Sequence, residues 1–222
     1  MLGILVALAL VIAGRFLVPA ASFTSTSAAS AILLAYGAMA VLCPFPLYHR
    51  DPQILRGAVI FGVLAGAVFS GEIILEYILL PGDNSRYGMV EFGTVFLLYF
   101  ASALRSGIRT RSMKSAVATS VASAFIASLI WDITLLAVFY AFRGSPRQAL
   151  VLRAEGDYED FTRSGMKDFD TFIMEDFMGA IFFHLLLGLV VAAVLGLIAG
   201  LAGKAIGKAK MEPQVSGQHP NQ

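Results

Sequence analysis

Six apolar runs, separated by short polar breaks, set the rhythm of the chain. They cover residues 2–19, 28–46, 55–80, 88–104, 115–142 and 177–203. Each approaches the roughly 20 apolar residues that a helix rising about 1.5 Å per residue needs to cross a bilayer. The breaks are of recognisable kinds. Thr24-Ser25-Thr26-Ser27 reads as an uncharged polar turn, and Pro44 and Pro46 end the second run because proline cannot continue a helical hydrogen-bond ladder. Tyr48 to Pro52 is a loop, and Pro81-Gly82-Asp83-Asn84 is a turn cluster closing the third run. A basic stretch from Arg105 to Lys114 leads into the fifth. A signal peptide is the rival reading of the first run, since Ala20-Ala21-Ser22 follows it. No Lys or Arg precedes its apolar core, however, as a signal peptide normally requires. The fold expected is all-α: a polytopic membrane bundle over residues 1–203 and a basic, then polar and disordered, tail over 204–222.

Residues 143–176 form the one substantial hydrophilic segment. Ser145-Pro146 marks a helix start, with serine as cap and proline at the first helical position. Acidic residues follow at Glu155, Asp157, Glu159 and Asp160. Phe169, Phe172, Ile173 and Phe177 then recur at helical spacing among Lys167, Asp168, Asp170, Glu175 and Asp176. That pattern predicts a short amphipathic helix lying on the membrane interface, with an acidic solvated loop as the alternative. Calcium binding at Asp168-Phe169-Asp170 fails on spacing, because the turn glycine and ordered ligands of a calcium loop are missing. The acids at 157–160 are instead placed to concentrate cations at an outer vestibule.

Composition agrees with the membrane class. Of 222 residues, 58% are hydrophobic and only 14% charged, and mean hydropathy is +0.77. A soluble domain of this size carries about a quarter charged residues. The net charge of +1 gives no argument for nucleic acid as a partner, and the single cysteine, Cys43, excludes an internal disulfide. Positive charge is distributed unevenly. Arg50, Arg56, Arg105, Arg109, Arg111, Lys114, Lys204, Lys208 and Lys210 share one side of a six-span arrangement, against Arg15 and Arg86 on the other. The positive-inside rule then puts both termini in the cytoplasm of a multi-pass protein of the inner or plasma membrane, with residues 143–176 outside.

Five ionisable side chains fall inside the runs: Glu72, Glu76, Glu91, Asp132 and His184. A charged group near the bilayer centre costs a few kcal/mol on insertion scales, so such residues face the bundle interior, a partner or water. Counted at about 1.5 Å per residue, all five lie in the outer half, with Asp132 about 15 Å and Glu72 about 13 Å from the outer ends of their runs. Asp132 ends a row of small residues, Ala116, Ser120, Ala124 and Ser128. His184 begins another, Gly188, Ala192, Gly196 and Gly200. Positions four apart share a helical face, and small residues there let helices approach closely in lipid. Gly62 and Gly66 add a packing row to the third run, and Ala199, Gly203 and Gly207 a second to the last. The latter is read as packing within the chain, with a homo-oligomer or membrane-complex seam as the alternative.

Two functions stay open on this reading. One is a proton- or cation-coupled site of Glu72, Glu76, Glu91, Asp132 and His184, open to the outside and suited to transport. The other is a structural or accessory subunit whose acids only bond helix to helix. Oxygen ligands with one imidazole would suit Mn, Fe or Zn, but no spacing here is a metal motif, so neither metal nor cofactor is assigned. No HExxH, G-x-S-x-G or paired deep aspartates mark an enzyme. The partner that the sequence does imply is the lipid bilayer.

Overall fold

The structure is a computed structural model that describes residues 2–19, 23–42, 52–79 and 85–209. The regular elements among them are all helices: α1 (Leu2–Leu17), α2 (Phe23–Leu42), α3 (Pro52–Ile78), α4 (Ser85–Thr110), α5 (Met113–Phe142), α6 (Pro146–Glu155), α7 (Asp157–Ser164) and α8 (Phe169–Ala209). Four of them, α3, α4, α5 and α8, are long and apolar enough to cross a membrane, consistent with a membrane protein. α1 is apolar but only 16 residues long, about 24 Å against a hydrocarbon core of about 30 Å.

Several boundaries differ from the sequence reading. The stretch Thr24 to Ser27 belongs to the first turns of α2 and is not a separate turn. Serine and threonine suit helix starts, and no glycine or proline interrupts the segment. α4 runs through Arg105 and Arg109, leaving only Arg111 and Ser112 as the link to α5, with Arg111 at a left-handed φ of 52°. α8 is a single helix of 41 residues, about 61 Å long. It absorbs both the segment expected to form a separate amphipathic helix and the first residues of the expected tail. Phe169 and Phe172 do not lie on an interface of their own: Tyr158 and Phe161 of α7 cover them, with ring centroids 4.4 Å apart for Tyr158–Phe169 and 5.7 Å for Phe161–Phe172. Cys43, Pro44, Pro46, the loop from Tyr48 to Asp51, the turn at 81–84 and the chain beyond 209 lie outside the described residues.

α5 is the axis of the bundle, packing against α3, α4 and α8 and, on its other flank, α1. Its hydroxyls explain how so polar a helix is buried. Ser112 caps it, accepting from the Ser115 N–H at 3.3 Å. Thr119, Ser123 and Thr134 donate to carbonyls one turn back at 2.7, 2.9 and 2.9 Å, so their polarity is satisfied within the helix. Neighbouring helices take the remainder: Ser120 donates to the Tyr99 carbonyl at 3.3 Å, and Ser70 Oγ lies 2.9 Å from Thr134 Oγ1.

α5 and α8 run antiparallel with their small-residue rows facing each other in register. A β-carbon on Gly200 would lie 3.0 Å from Ala116 Cβ, one on Gly196 2.9 Å from Val117 Cα and 3.2 Å from Ser120 Cβ, and one on Gly188 3.1 Å from Ser128 Oγ. Ala124 and Ala192, both fully buried, belong to one apolar cluster. α3 closes on α5 in the same way: β-carbons on Gly62 and Gly66 would fall 2.7 Å from the Ser123 carbonyl and 2.8 Å from Ile130 Cβ. In lipid, where no hydrophobic force drives helices together, this contact density is what holds them.

Candidate functional site

The α5–α8 register pairs Ala116 with Gly200, Ser120 with Gly196, Ala124 with Ala192 and Ser128 with Gly188. Continued one turn, it brings Asp132 level with His184. At that rung the two side chains part. Asp132 is fully buried, and neither of its carboxyl oxygens has a hydrogen-bond partner among the described residues. It is therefore in hydrogen-bond contact with neither His184 nor Glu72. The His184 ring instead stacks on Trp131, with centroids 4.0 Å apart and planes inclined by 10°, and meets the edge of Phe69 at 4.9 Å.

On the side of Asp132 is a buried polar centre built from three helices. Tyr36 reaches in from α2, donates to the Leu185 carbonyl at 2.7 Å, stacks on Phe125 at 4.5 Å and lies within electrostatic range of Asp132 and Tyr99. Around it stand Asp132 Oδ1 and Oδ2 and the Tyr99 hydroxyl, all buried and without a partner among the described residues, while Ser128 faces the Tyr36 hydroxyl. Buried polar groups in folded proteins are almost always hydrogen-bonded, and a lone buried carboxylate is the most expensive exception. Three such oxygens around one tyrosine can receive what the described residues do not supply: a proton, a water or a small cation.

A second polar region joins α3, α4 and the α6–α7 cover. Glu91, 7% exposed, faces Glu72, and the charges of Glu72 and Glu76 act on it. Glu76 in turn meets Glu155 of α6. Glu155 keeps solvent access, yet the protein crowding its carboxyl raises its proton affinity, and the contact with Glu76 and the charges of Asp157 and Glu72 add to the effect. Asp157, at the start of α7, is pushed up to about 6, first by burial and then by the charges of Asp176 and Asp160. The α6–α7 cover is positioned by ordinary signals. Ser145 caps α6, accepting from the Gln148 N–H at 3.1 Å, and Gly156, at φ 90°, turns the chain into α7. Arg147 donates to the carbonyls of Tyr77 and Ile78, pinning α6 to the end of α3.

Between the two regions runs a row of rings, each touching the next: Phe92 to Phe69 at 5.5 Å, Phe69 to His184, and His184 to Trp131. Phe92 adjoins Glu91 and Trp131 adjoins Asp132, so the imidazole of His184 is the one ionisable group within this row. The five residues singled out in the sequence thus separate into an acidic row, a sandwiched imidazole and a buried aspartate. Sequence reasoning missed Tyr36, Tyr99 and the contact of Glu155 with Glu76. A tyrosine in an apolar run carries no periodic signal, and Glu155 lies in a different segment from its partner. Of the acids once tested for calcium, Asp168 caps α8 by accepting from the Thr171 N–H at 2.8 Å, and Asp170 pairs with Arg143 at 2.9 Å. Among the described residues, no three Asp, Glu, His or Cys side chains gather as a metal's ligands would. The chain matches no protein-family model, no curated protein and no solved structure.

Proposed function

We propose that the chain is a six-span membrane protein with both termini in the cytoplasm, and that it admits protons from its acidic outer end to a buried site at Asp132. The observation that carries this reading is the set of buried oxygens of Asp132 and Tyr99 around Tyr36 that have no partner among the described residues. A carboxyl retained only to join helices would be hydrogen-bonded to a neighbour, as Ser70 is to Thr134. Asp132 is bonded to none of the described residues, which favours a group that gains and loses a proton. The row Glu91–Glu72–Glu76–Glu155 supplies proton acceptors from the solvent-accessible cover into the bundle. The imidazole of His184 can accept a proton at one nitrogen and release one from the other, and it sits in the ring row between the acids and Asp132.

The test is proton entry into vesicles containing the purified full chain, read by an internal pH dye after an imposed pH step. Asp132→Asn keeps the side chain's shape and removes its acidity. The variant is expected to fold with unchanged melting behaviour and to slow proton entry at least about tenfold, the rate change given by about 1.4 kcal/mol in a barrier. Entry at the wild-type rate in Asp132→Asn would leave only the structural reading of these acids. A reporter fused at Gly156 is expected outside the cell, and a cytoplasmic reporter would overturn the orientation.

A further inference from the structure

Trp131 and His184 are stacked face to face, with ring centroids 4.0 Å apart and planes inclined by 10°. Both are half-buried. The indole is held from several sides: it packs against the apolar cluster that includes Leu185, the one that includes Phe69 and Tyr99, and the one that includes Ile73, Tyr77 and Val151. Phe69 adjoins the imidazole at 4.9 Å, inclined by 74°. The titratable groups on the elements around the pair are Asp132, beside Trp131 in α5; Tyr36 of α2; Glu91 and Tyr99 of α4; and Glu72, Glu76 and Tyr77 of α3. None of these acts as a charge on the imidazole, whose surroundings are set by burial alone. The rings that touch it are therefore the groups that decide whether it can hold a charge.

We propose that Trp131 is a positioning residue of the proton pathway: its indole face holds the His184 ring flat and supports the imidazole in its charged form. This role rests on proton entry to Asp132 as proposed above, and it names the group that lets a charge exist midway. An imidazolium at this place has no carboxylate bonded to it, because Asp132 parts from His184 at their shared rung. The face of an aromatic ring is negative and its edge positive, so a cation over the face is attracted. Indole attracts more strongly than a phenyl ring, and the attraction grows where water is excluded. A near-parallel stack at 4.0 Å puts the imidazole over that face. Trp131 and Asp132 are consecutive, so one turn of α5 carries both the support of the charged ring and the buried acceptor.

Trp131 is the only tryptophan of the chain, so its fluorescence reports on the pair directly. An imidazolium in contact with an indole quenches it far more than a neutral imidazole does. The full chain in nanodiscs is titrated from about pH 8 to about pH 3, a range in which imidazole changes charge and indole does not. Emission is expected to fall with pH, to stay level in His184→Gln and to fall as before in Asp132→Asn. No fall in the wild type, or one that persists in His184→Gln, overturns the pair. The second arm is proton entry into vesicles at several starting pH values. Trp131→Leu is expected to slow entry at least about tenfold near pH 7, the equivalent of about one pH unit in the charged fraction of the imidazole, and to lose that deficit as pH is lowered. Trp131→Phe, with a weaker ring face, is expected to lie between the two. A Trp131→Leu deficit of equal size at every pH is what a purely structural role gives, and it overturns the proposal. Unchanged entry in Asp132→Asn overturns the pathway and with it the role in entry, while the fluorescence titration still decides whether the indole supports a charge. That titration leaves Trp131 in place, so it and Trp131→Phe decide the outcome if Trp131→Leu fails to fold.

Discussion

The two ends of the α5–α8 pair use one register for opposite purposes. Toward the basic end the helices close to backbone contact, a β-carbon on Gly196 falling 2.9 Å from Val117 Cα, and α4 closes on α8 beside them, where one on Gly203 would fall 2.8 Å from the Ile108 nitrogen and 2.9 Å from the Leu104 carbonyl. Toward the acidic end the same rows finish on Asp132 and His184, and the helices hold tyrosine, tryptophan and unpartnered oxygen atoms between them. Small residues let dispersion contacts accumulate, and each rung supports the next. A carboxyl and an imidazole cannot close in that way without a partner. The closed end thus fixes the helices, and the open end can keep polar groups that contribute nothing to holding them.

The largest effect expected from this contrast is at Gly203. Gly203→Ala puts a methyl group against backbone that cannot rotate away, so α8 must move off α4, at a loss of about 3 kcal/mol. Gly93→Ala, the same change where a β-carbon would meet nothing within 4 Å, is expected to add a few tenths to about 1 kcal/mol through helix propensity. Reversible unfolding in micelles measures both. Equal effects would mean that the closed end is not where the bundle is fixed.

Next in size is Asp132→Val. If Asp132 joined helices, losing it would cost the few kcal/mol typical of breaking a buried bonded group. With neither oxygen bonded, replacing the carboxyl by an apolar side chain of similar volume is expected to stabilise the protein by about 1–3 kcal/mol, while removing proton entry. A stability gain together with lost activity marks a group kept for chemistry at the expense of packing. Destabilisation would return Asp132 to the structural reading.

How far these features are legible in the sequence depends on what periodicity can carry. The all-helical architecture and the long apolar helices follow from the runs themselves. Ala116 to Asp132 and His184 to Gly200 are each legible as one helical face, because a spacing of four is a property of a single helix. That these faces meet in register is not legible, since it depends on how two helices are set along each other. The parting of Asp132 and His184 is further from view, because it follows from Trp131, Phe69 and Tyr36 competing for the space between them. The continuity of α8 through Phe169 was hidden for another reason. Its first turns are charged like a loop, and they are covered by elements distant in sequence, Phe169 and Phe172 by α7 and Ile173 and Met174 by the core with α1 and α5, so that burial leaves no mark on the local pattern.

The smallest effect separates the ends by pH. The closed seam around Gly203 is made of backbone and apolar residues, Leu104, Gly107 and Ile108, so it should respond little between pH 4 and pH 7. Asp157, on the cover of the acidic end, is pushed up to about 6 from an ordinary value of about 3.9. A carboxyl whose folded value is raised contributes its stability in the protonated form. That contribution is complete below about pH 3.9, is lost as pH rises through about 6, and stays lost above. Hydrogen exchange of the α7 amides, corrected for intrinsic rates, is therefore expected to show protection falling from pH 4 to pH 7. Asp157→Asn carries no ionisable group, so it should flatten much of that slope and protect α7 better than the wild type at pH 7. The amides around Gly203 should stay level in both proteins. A slope of equal size at Gly203 would mean that the cover and the closed seam open together as one unit, and the contrast between the two ends would then lie in their chemistry and not in their stability.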